Sequence, residues 1–525
     1  MNSSSPPADG RQNRFPVRPL LDRRSFVTNL VAGLTVHGSG QTAAVSTVPA
    51  GAIDVTAAFG FVGDGRTDNY AAFHRLVAHA NRTGGGSYNF PPGIFFVARF
   101  ENVPATGLPL SDAVPAPFVG CDGLTIIGYG AKVVLNGRFN RRAGAIFRDT
   151  IFMPFEFRRC RNVRLAGFEV DGGVRNMTRD RNAAETYASL VSLLGCSQVS
   201  LEDLDLHHGQ TDGVYLYLEQ RQNRPGLACR DIRLRNVSCH HNARGGLAPL
   251  QVAGLLAVDC SFSNNGTSDL GRYGAHAPGF GVDVEPDFFK PSDVDVRTGD
   301  LEFRGCRFED NVAGFHAAYL PRYQGYLRII DCSSTNRHSH PYHMILSWRG
   351  ALLEGGVHDA GEGTIYSGWQ EVGGSDVALR NCEIRTSGFY GVLHGYADHR
   401  LTIDGVKIIG MHRKAAPHGF VLLVQGAPPA GQRHVVRNCE VFVPAARKSE
   451  AHKYDYEVSL HYSLAENNLY RTDLPVEGGR HFCTEYADGT VVRGDRYRGR
   501  SPGPADSFRP GHNSSHDTRQ PFSLG

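Results

Sequence analysis

No run of about 18 apolar residues occurs in this 525-residue chain, so no helix that spans a bilayer is expected. An excess of one charge is also lacking. The 55 Lys and Arg stand against 52 Asp and Glu, a formal net charge of +3. No basic stripe interleaved with aromatics appears, which argues against a nucleic-acid partner. There is no Cys-x-x-Cys motif and the cysteine count, 11, is odd. Neither a zinc site nor a closed disulfide framework is indicated. The 62 glycines follow no three-residue period, which excludes collagen. The Leu-x-x-Leu-x-Leu-x-x-Asn signature of leucine-rich repeats and the Trp-Asp punctuation of propeller blades are missing too. What is there is 41% hydrophobic and 20% charged, ample for a core but long for one ordinary domain unless the fold is a barrel or a repeat.

The first fifty residues read as an address rather than as structure. Arg11, Arg14 and Arg18 lead into Asp22-Arg23-Arg24-Ser25-Phe26-Val27, then a modestly apolar stretch, Leu30 to Val36, then small residues at Thr42-Ala43-Ala44 and Val48-Pro49-Ala50. The run resembles a twin-arginine export signal cleaved between about 44 and 50. Residues 1–50 are therefore assigned to a signal and disordered lead. The expected location is periplasmic or extracellular, reached after folding.

A repeat dominates the chain from about residue 120. Cys121-Asp122-Gly123-Leu124-Thr125-Ile126, Cys160-Arg161-Asn162-Val163-Arg164-Leu165, Cys196-Ser197-Gln198-Val199-Ser200-Leu201 and Cys229-Arg230-Asp231-Ile232-Arg233-Leu234 share one plan. Each is a cysteine, two polar or small residues, and an alternating strand. A second set ends its strands on cysteine: Cys239, Cys260, Cys306, Cys332, Cys382 and Cys439. Ten cysteines thus fall at two repeated positions, and only Cys483 lies outside. Small buried hydrophobes recurring in this way predict files of free thiols inside a solenoid. Asn242, Asn264, Asn311 and Asn336 suit the tight corners. Equivalent points lie as little as the low twenties apart, giving roughly eleven coils between about 120 and 445 at about 4.8 Å each.

The segment before the repeat differs. Gly63-Asp64-Gly65-Arg66-Thr67-Asp68 leads into a helical pattern, Ala71 to Asn81, which Asp68 or Thr67 can cap and Gly84-Gly85-Gly86 can end. The strand Ser87 to Phe90, the turn Pro91-Pro92-Gly93 and the strand Ile94 to Ala98 come next. This run over 52–98 resembles the N-terminal part of the pectate lyase superfamily, the glycoside hydrolase family 28-related β-helix proteins. The resemblance implies an all-β, right-handed parallel β-helix, a pectin lyase-like solenoid, with a short helix plugging its N-terminal end. The expected organisation is an N-terminal cap over 51–118, the β-helix over 119–445, a C-terminal cap over 446–493 and a disordered tail over 494–525.

Five segments align on a shared strand: Asp212-Gly213-Val214-Tyr215-Leu216-Tyr217, Gly245 to Leu250, Phe280 to Glu285, Ala313 to Ala318 and Pro341 to Ile345. Val214, Leu247, Val282 and Phe315 point inward. Tyr215, Ala248, Asp283, His316 and His343 then form one outward file, and Tyr217, Leu250 and Glu285 the next. Asp283 and Glu285 are two carboxylates on one face of a strand, which repel and have low strand propensity. Together with His316, Asp212 at a strand entry and Asp287 just beyond Pro286, they are the candidate catalytic residues. Two nearby carboxyl groups can split their proton affinities and divide acid and base roles. Gly281-Val282-Asp283-Val284-Glu285-Pro286 also resembles a Gly-Ile-Asp-Ile-Glu-Pro run found in β-helix proteins of this superfamily. Candidate substrate contacts are Tyr215, Tyr217, Arg244, Tyr319, Arg322, His343 and Trp348. His207-His208 and His240-His241 occupy equivalent corners. Four histidines could bind a metal, but the pattern reads first as stacked corner pairs.

The resemblance implies a polysaccharide substrate. Carboxylates outnumber bases on the file, which tilts the expectation to a glycoside hydrolase. A lyase or uronate epimerase is the alternative, with a His or Tyr base and with Asp283, Glu285 and Asp287 holding Ca2+. A non-catalytic glycan-binding rod is a third. The Asn-Thr-Asp, Asp-Asp, Gly-His-Gly and Arg-x-Lys elements of the hydrolase family are absent, and Gln210-Thr211-Asp212-Gly213 only echoes the first. Apart from the calcium of the lyase reading, no cofactor is expected. A homo-oligomer is compatible with the fold.

Overall fold

A computed structural model describes residues 48–97, 117–135, 153–176, 188–219, 225–267, 269–271, 274–275, 279–285, 299–312, 314–317, 325–335, 342–344, 350–359, 366–368, 376–386, 390–394, 399–410, 420–443, 458–472, 484–498, 508–510 and 515–516. The chain enters through Val55–Phe59, a one-turn helix whose N-terminus is capped by the Asp54 carboxylate (Thr56 N–H to Oδ1, 2.8 Å). The main helix, Tyr70–Thr83, buries Ala72, Phe73, Leu76, Val77 and Ala80, the spacing of a single helical face. Asp68 accepts from the Tyr70 N–H at 3.0 Å. Asn69 turns back instead, accepting from Val62 N at 2.7 Å and donating to three carbonyls. Gly84 ends the helix at φ +73°. The Phe73 ring meets Phe90 and Phe155 edge-on or tilted, so the helix face closes the end of the core.

From here the chain is a right-handed parallel β-helix. Among the described residues, the strands lie in sheets of 27, 8 and 6 strands, and every strand–strand pairing is parallel. Each coil runs one short strand, turns, and returns along a longer run that bends once. Cys229–His240 is such a run, bending at Asn236. The bend is a left-handed residue in coil after coil, including Asp203, Asn236, Asp259, Asp331, Asn381 and Asn438. Asp and Asn tolerate that conformation and can bond along the stack. Asn236 Nδ2 donates to Asp203 Oδ1 at 3.0 Å, and Asn438 Nδ2 to Asp404 Oδ1 at 3.0 Å.

One continuous apolar core runs from Val55 to Val492. The ten cysteines described are all buried and free. Cys121, Cys160, Cys196 and Cys229 follow the corner out of the short strands, and Cys260, Cys306, Cys332, Cys382 and Cys439 follow the bend. Cys239 breaks the expected grouping. It pairs with Leu206 and Phe262 within the strand, so Val237 holds the post-bend position of its coil.

Stacking also continues past residue 445. Val458–His461, Ser463–Glu466, Leu469–Thr472, Thr484–Ala487, Val491–Arg493, Arg496–Arg498, Phe508–Pro510 and Ser515–His516 all extend the same sheets. Part of the stretch expected as cap and disordered tail is therefore coil. The cysteine signal vanishes there because Asn468 and Asp495 take over its position. Cys439 N–H donates to Asn468 Oδ1 at 3.0 Å and Asn468 N–H to Asp495 Oδ1 at 2.8 Å. Tyr470 and Tyr486 hydroxyls close on Asp495, whose carboxyl burial pushes up to about 6.

Candidate functional site

The site is built on the outer face of seven neighbouring short strands, from Phe155–Arg158 to Tyr342–Met344. Register fixes which side chains share a file. Phe155, Val191, Val214, Leu247, Val282 and Phe315 are partners in succession and belong to the core. The glycines before Val214, Leu247 and Val282 have a steric cause. A Cβ at Gly213 would lie 2.8 Å from Cys239 Sγ and from Gly246 O, and one at Gly246 would lie 2.5 Å from Gly281 O.

The opposite file runs Glu156, Ser192, Tyr215, Ala248. Beyond it, Asp283, His316 and His343 are register partners. The Tyr215 and Tyr217 rings, 5.4 Å apart, belong with Leu194, Leu218, Ala228, Ala248 and Leu250 to a small apolar cluster of their own. From Glu156 to Asp283 the outward file is therefore covered rather than solvated. An antiparallel bridge between Glu219 and Leu227 folds a loop back beside it.

Inside this covered face sit charges. Asp212, Arg244 and Asp283 are 2, 6 and 3% exposed. Arg244 Nη1 lies 3.5 Å from Asp212 Oδ2, and its Nη2 lies 3.6 Å from Asp283 Oδ2. One guanidinium thus bridges carboxylates from two other coils. The corner leading into Asp212 is held by side chains. Gln210 Nε2 donates to Gly172 O at 3.0 Å, and Thr211 Oγ1 meets Ser189 Oγ at 3.1 Å. Arg244 N–H donates to Thr211 O at 3.0 Å. An asparagine ladder secures the same edge, with Gly209 N–H on Asn242 Oδ1, Asn242 N–H on Asn265 Oδ1 and Asn265 N–H on Asn311 Oδ1.

A second buried charge group lies two coils earlier, at residues the sequence pattern does not single out. Glu156 and Arg158 are joined Nε to Oε1 at 2.5 Å and are essentially buried. Burial pushes the Glu156 carboxyl up to about 7, against the pull of Arg158 and with a further push from Glu219. A carboxyl poised near neutrality can give or take a proton. The available signal is Phe155-Glu156-Phe157-Arg158 itself. It alternates and ends two residues before Cys160, as Leu194 ends two before Cys196.

Among the other residues singled out, Glu285 is exposed just beyond the end of its strand at Val284. Tyr215, Tyr217 and Arg244 are buried on the face described. Asp287, Tyr319, Arg322 and Trp348 lie outside the described residues. The histidine corners do stack. His207 lies over His240 and His208 over His241, with centroids 5.1 and 5.4 Å apart and planes within 13°.

No family model and no curated protein matches the chain. Similar solved structures include the A-module of an Azotobacter vinelandii mannuronan C-5 epimerase. It is 16% identical, with 89% of this chain and 100% of that one covered, at a TM-score of 0.41. The N-terminal fragment of bacteriophage Phi29 gene product 12 is 13% identical over 86% and 72%, TM-score 0.45. The tailspike of E. coli bacteriophage HK620, solved with a pentasaccharide, is 11% identical over 89% and 78%, TM-score 0.44. At these identities and TM-scores the likeness adds nothing to the fold that the strand pairings of this chain show by themselves.

Proposed function

We propose that this protein is a polysaccharide-active enzyme that cleaves glycosidic bonds on the outer face of the short-strand sheet, with Asp212 and Asp283 as its paired carboxylates. The observation that carries the reading is the buried Asp212–Arg244–Asp283 bridge. Two carboxylates held out of water by one guanidinium can differ in proton affinity. A pair holding one proton is what acid–base cleavage of a glycoside needs. Contacts to the two ends of one guanidinium keep the carboxylate oxygens within roughly 9.5 Å of each other, the upper end of the spacing such chemistry uses. Seven strands at about 4.8 Å give a face long enough for several sugar units.

A second reading has its own support. Asp283, His316 and His343 are register partners, so two histidines follow a carboxylate along the stack. A lyase or uronate epimerase would use such a base, with calcium held near Asp283, Glu285 and Asp287. Purified protein is incubated with neutral and uronic polysaccharides, with and without EDTA, and reducing ends and absorbance near 235 nm are followed. Reducing ends without absorbance support hydrolysis. Absorbance lost with EDTA supports a calcium-dependent lyase. Binding without either signal leaves a non-catalytic glycan-binding protein. Export through the Arg23-Arg24 signal belongs to the same proposal, and fractionation of cells carrying Arg23→Lys with Arg24→Lys tests it.

A further inference from the structure

The corner that leads into the Asp212 strand carries a second cluster, on a different wall of the coil from the carboxylate bridge. His207 ends a strand, and His208 follows in the left-handed conformation at φ +53°. That backbone reversal brings two consecutive imidazoles together, Nδ1 to Nδ1, at 2.6 Å. Asp171 lies one coil back as the register partner of His207, with Oδ1 4.0 Å from His207 Nδ1. One ligand atom from each of Asp171, His207 and His208 lies within 4.8 Å of the others. A tetrahedral ion with bonds of about 2.0–2.2 Å wants its ligands about 3.3 Å apart. Opening the histidine pair and closing Asp171 by small side-chain rotations meets that spacing.

A separate contact orients the cluster toward a ligand. His207 Nε2 lies 3.1 Å from Glu169 Oε1. A proton on Nε2 donated to that carboxylate leaves the Nδ1 lone pair facing His208 and Asp171. Carboxylate, imidazole and ion in a row is the outer-shell arrangement that fixes metal-binding histidines. An approach exists as well. A groove of about 540 Å³, lined by Lys132, Glu169, Asp205 and His240, opens beside the cluster.

We propose that Asp171, His207 and His208 bind one divalent transition-metal ion of the zinc class. The donor set, two imidazoles and a carboxylate, suits zinc and its neighbours rather than calcium or magnesium. The His240–His241 pair has a similar bite, 2.8 Å, but its carboxylates, Asp205 at 2.9 Å and Asp269 at 3.7 Å, meet the outer Nε2 atoms, and the register partners of His240 are His207 and Ser263, so no carboxylate takes the place that Asp171 has beside the Nδ1 pair. Lys132 opposes binding, with Nζ 2.6 Å from Glu169 Oε1 and 3.7 Å from Asp171 Oδ2. Asp171 Oδ1 also accepts from Gly173 N–H at 3.0 Å, which holds the carboxylate in place. The ion would tie the coil of Asp171 to the corner four residues before Asp212. The proposal is independent of the polysaccharide reading.

Full-length protein is stripped with a chelator and dialysed against Zn2+, or against Co2+ as a spectroscopic probe. One ion per chain and visible d–d bands of a nitrogen and oxygen site are expected. His208→Asn keeps the corner, since Asn264 holds the same conformation two coils on. It should lose that ion by at least about 100-fold in affinity. Glu169→Gln should weaken binding by about 10–100-fold, Lys132→Met should strengthen it, and His241→Asn should leave it unchanged. No stoichiometric binding by the wild type, or full binding by His208→Asn, overturns the proposal. If His208→Asn fails to fold, Asp171→Asn decides by the same measurement.

Discussion

The two outer surfaces of this solenoid use the same alternation of residues and end in opposite physical situations. On the long sheet, outward charges form ion pairs in water. Glu202 lies between Arg164 and Arg235, and Glu383 between Arg385 and Lys407, with cations about a third to a half exposed. On the short sheet, Glu156, Arg158, Asp212, Arg244 and Asp283 are nearly sealed. Charges in water cost little and contribute little. Charges taken out of water are costly unless held by partners, and they are retained where chemistry requires them. The proposed placement of cleavage on the short sheet rests on this difference.

The largest effect that would sharpen this contrast is on turnover. Asp212→Asn and Asp283→Asn should each lower polysaccharide cleavage by about 10²–10⁴-fold, measured as reducing ends, with the fold retained. Intact activity in both would break the assignment. Arg244→Met should cost about 3–5 kcal/mol in denaturant unfolding, because it leaves two buried carboxylates without their shared cation.

A pH effect of similar size is expected at Glu156. Its carboxyl titrates at about 7 in the folded protein, against an ordinary value of 4.5. Between these values the folded state holds a proton that the unfolded state has lost. Stability therefore falls as pH rises from about 4.5 to about 7, by on the order of 3 kcal/mol, and is flat beyond. Glu156→Gln should remove that slope from denaturation midpoints taken across the range. On the long sheet, Lys407→Gln should cost about 1 kcal/mol or less, which sets the contrast with Arg244. A loss equal to that of Arg244→Met would erase the distinction between the faces.

Much of the coil was legible because period-two alternation and close packing both leave marks in the sequence. Val214, Leu247, Val282 and Phe315 align through their preceding residues, and the glycines before the first three are demanded by the neighbouring coil. Alternation reports which side of a sheet a residue faces. It does not report whether that side is wet, because the cover comes from loops distant in sequence. Asp212, Asp283 and Arg244 could thus be placed on one face, while their burial and the bridging role of Arg244 could not. Cys239 shows a related failure. It matches its neighbours in spacing, but the left-handed residue at Asn236 sets the phase of its strand.

The cysteine files carry a consequence for the history of the molecule. Ten thiols lie within the stack, and burial pushes Cys382 and Cys439 up to about 12, so these two offer almost no thiolate to any oxidant. Ellman's reagent should find none of the ten in the native protein and all of them after denaturation. Before the coils close, the same thiols are open to pairing with one another in many wrong combinations, on a timescale of seconds to hours. Wherever the chain folds in the presence of an oxidant, folding must win a race against oxidation, and once it has, the core itself keeps the thiols from being rewired.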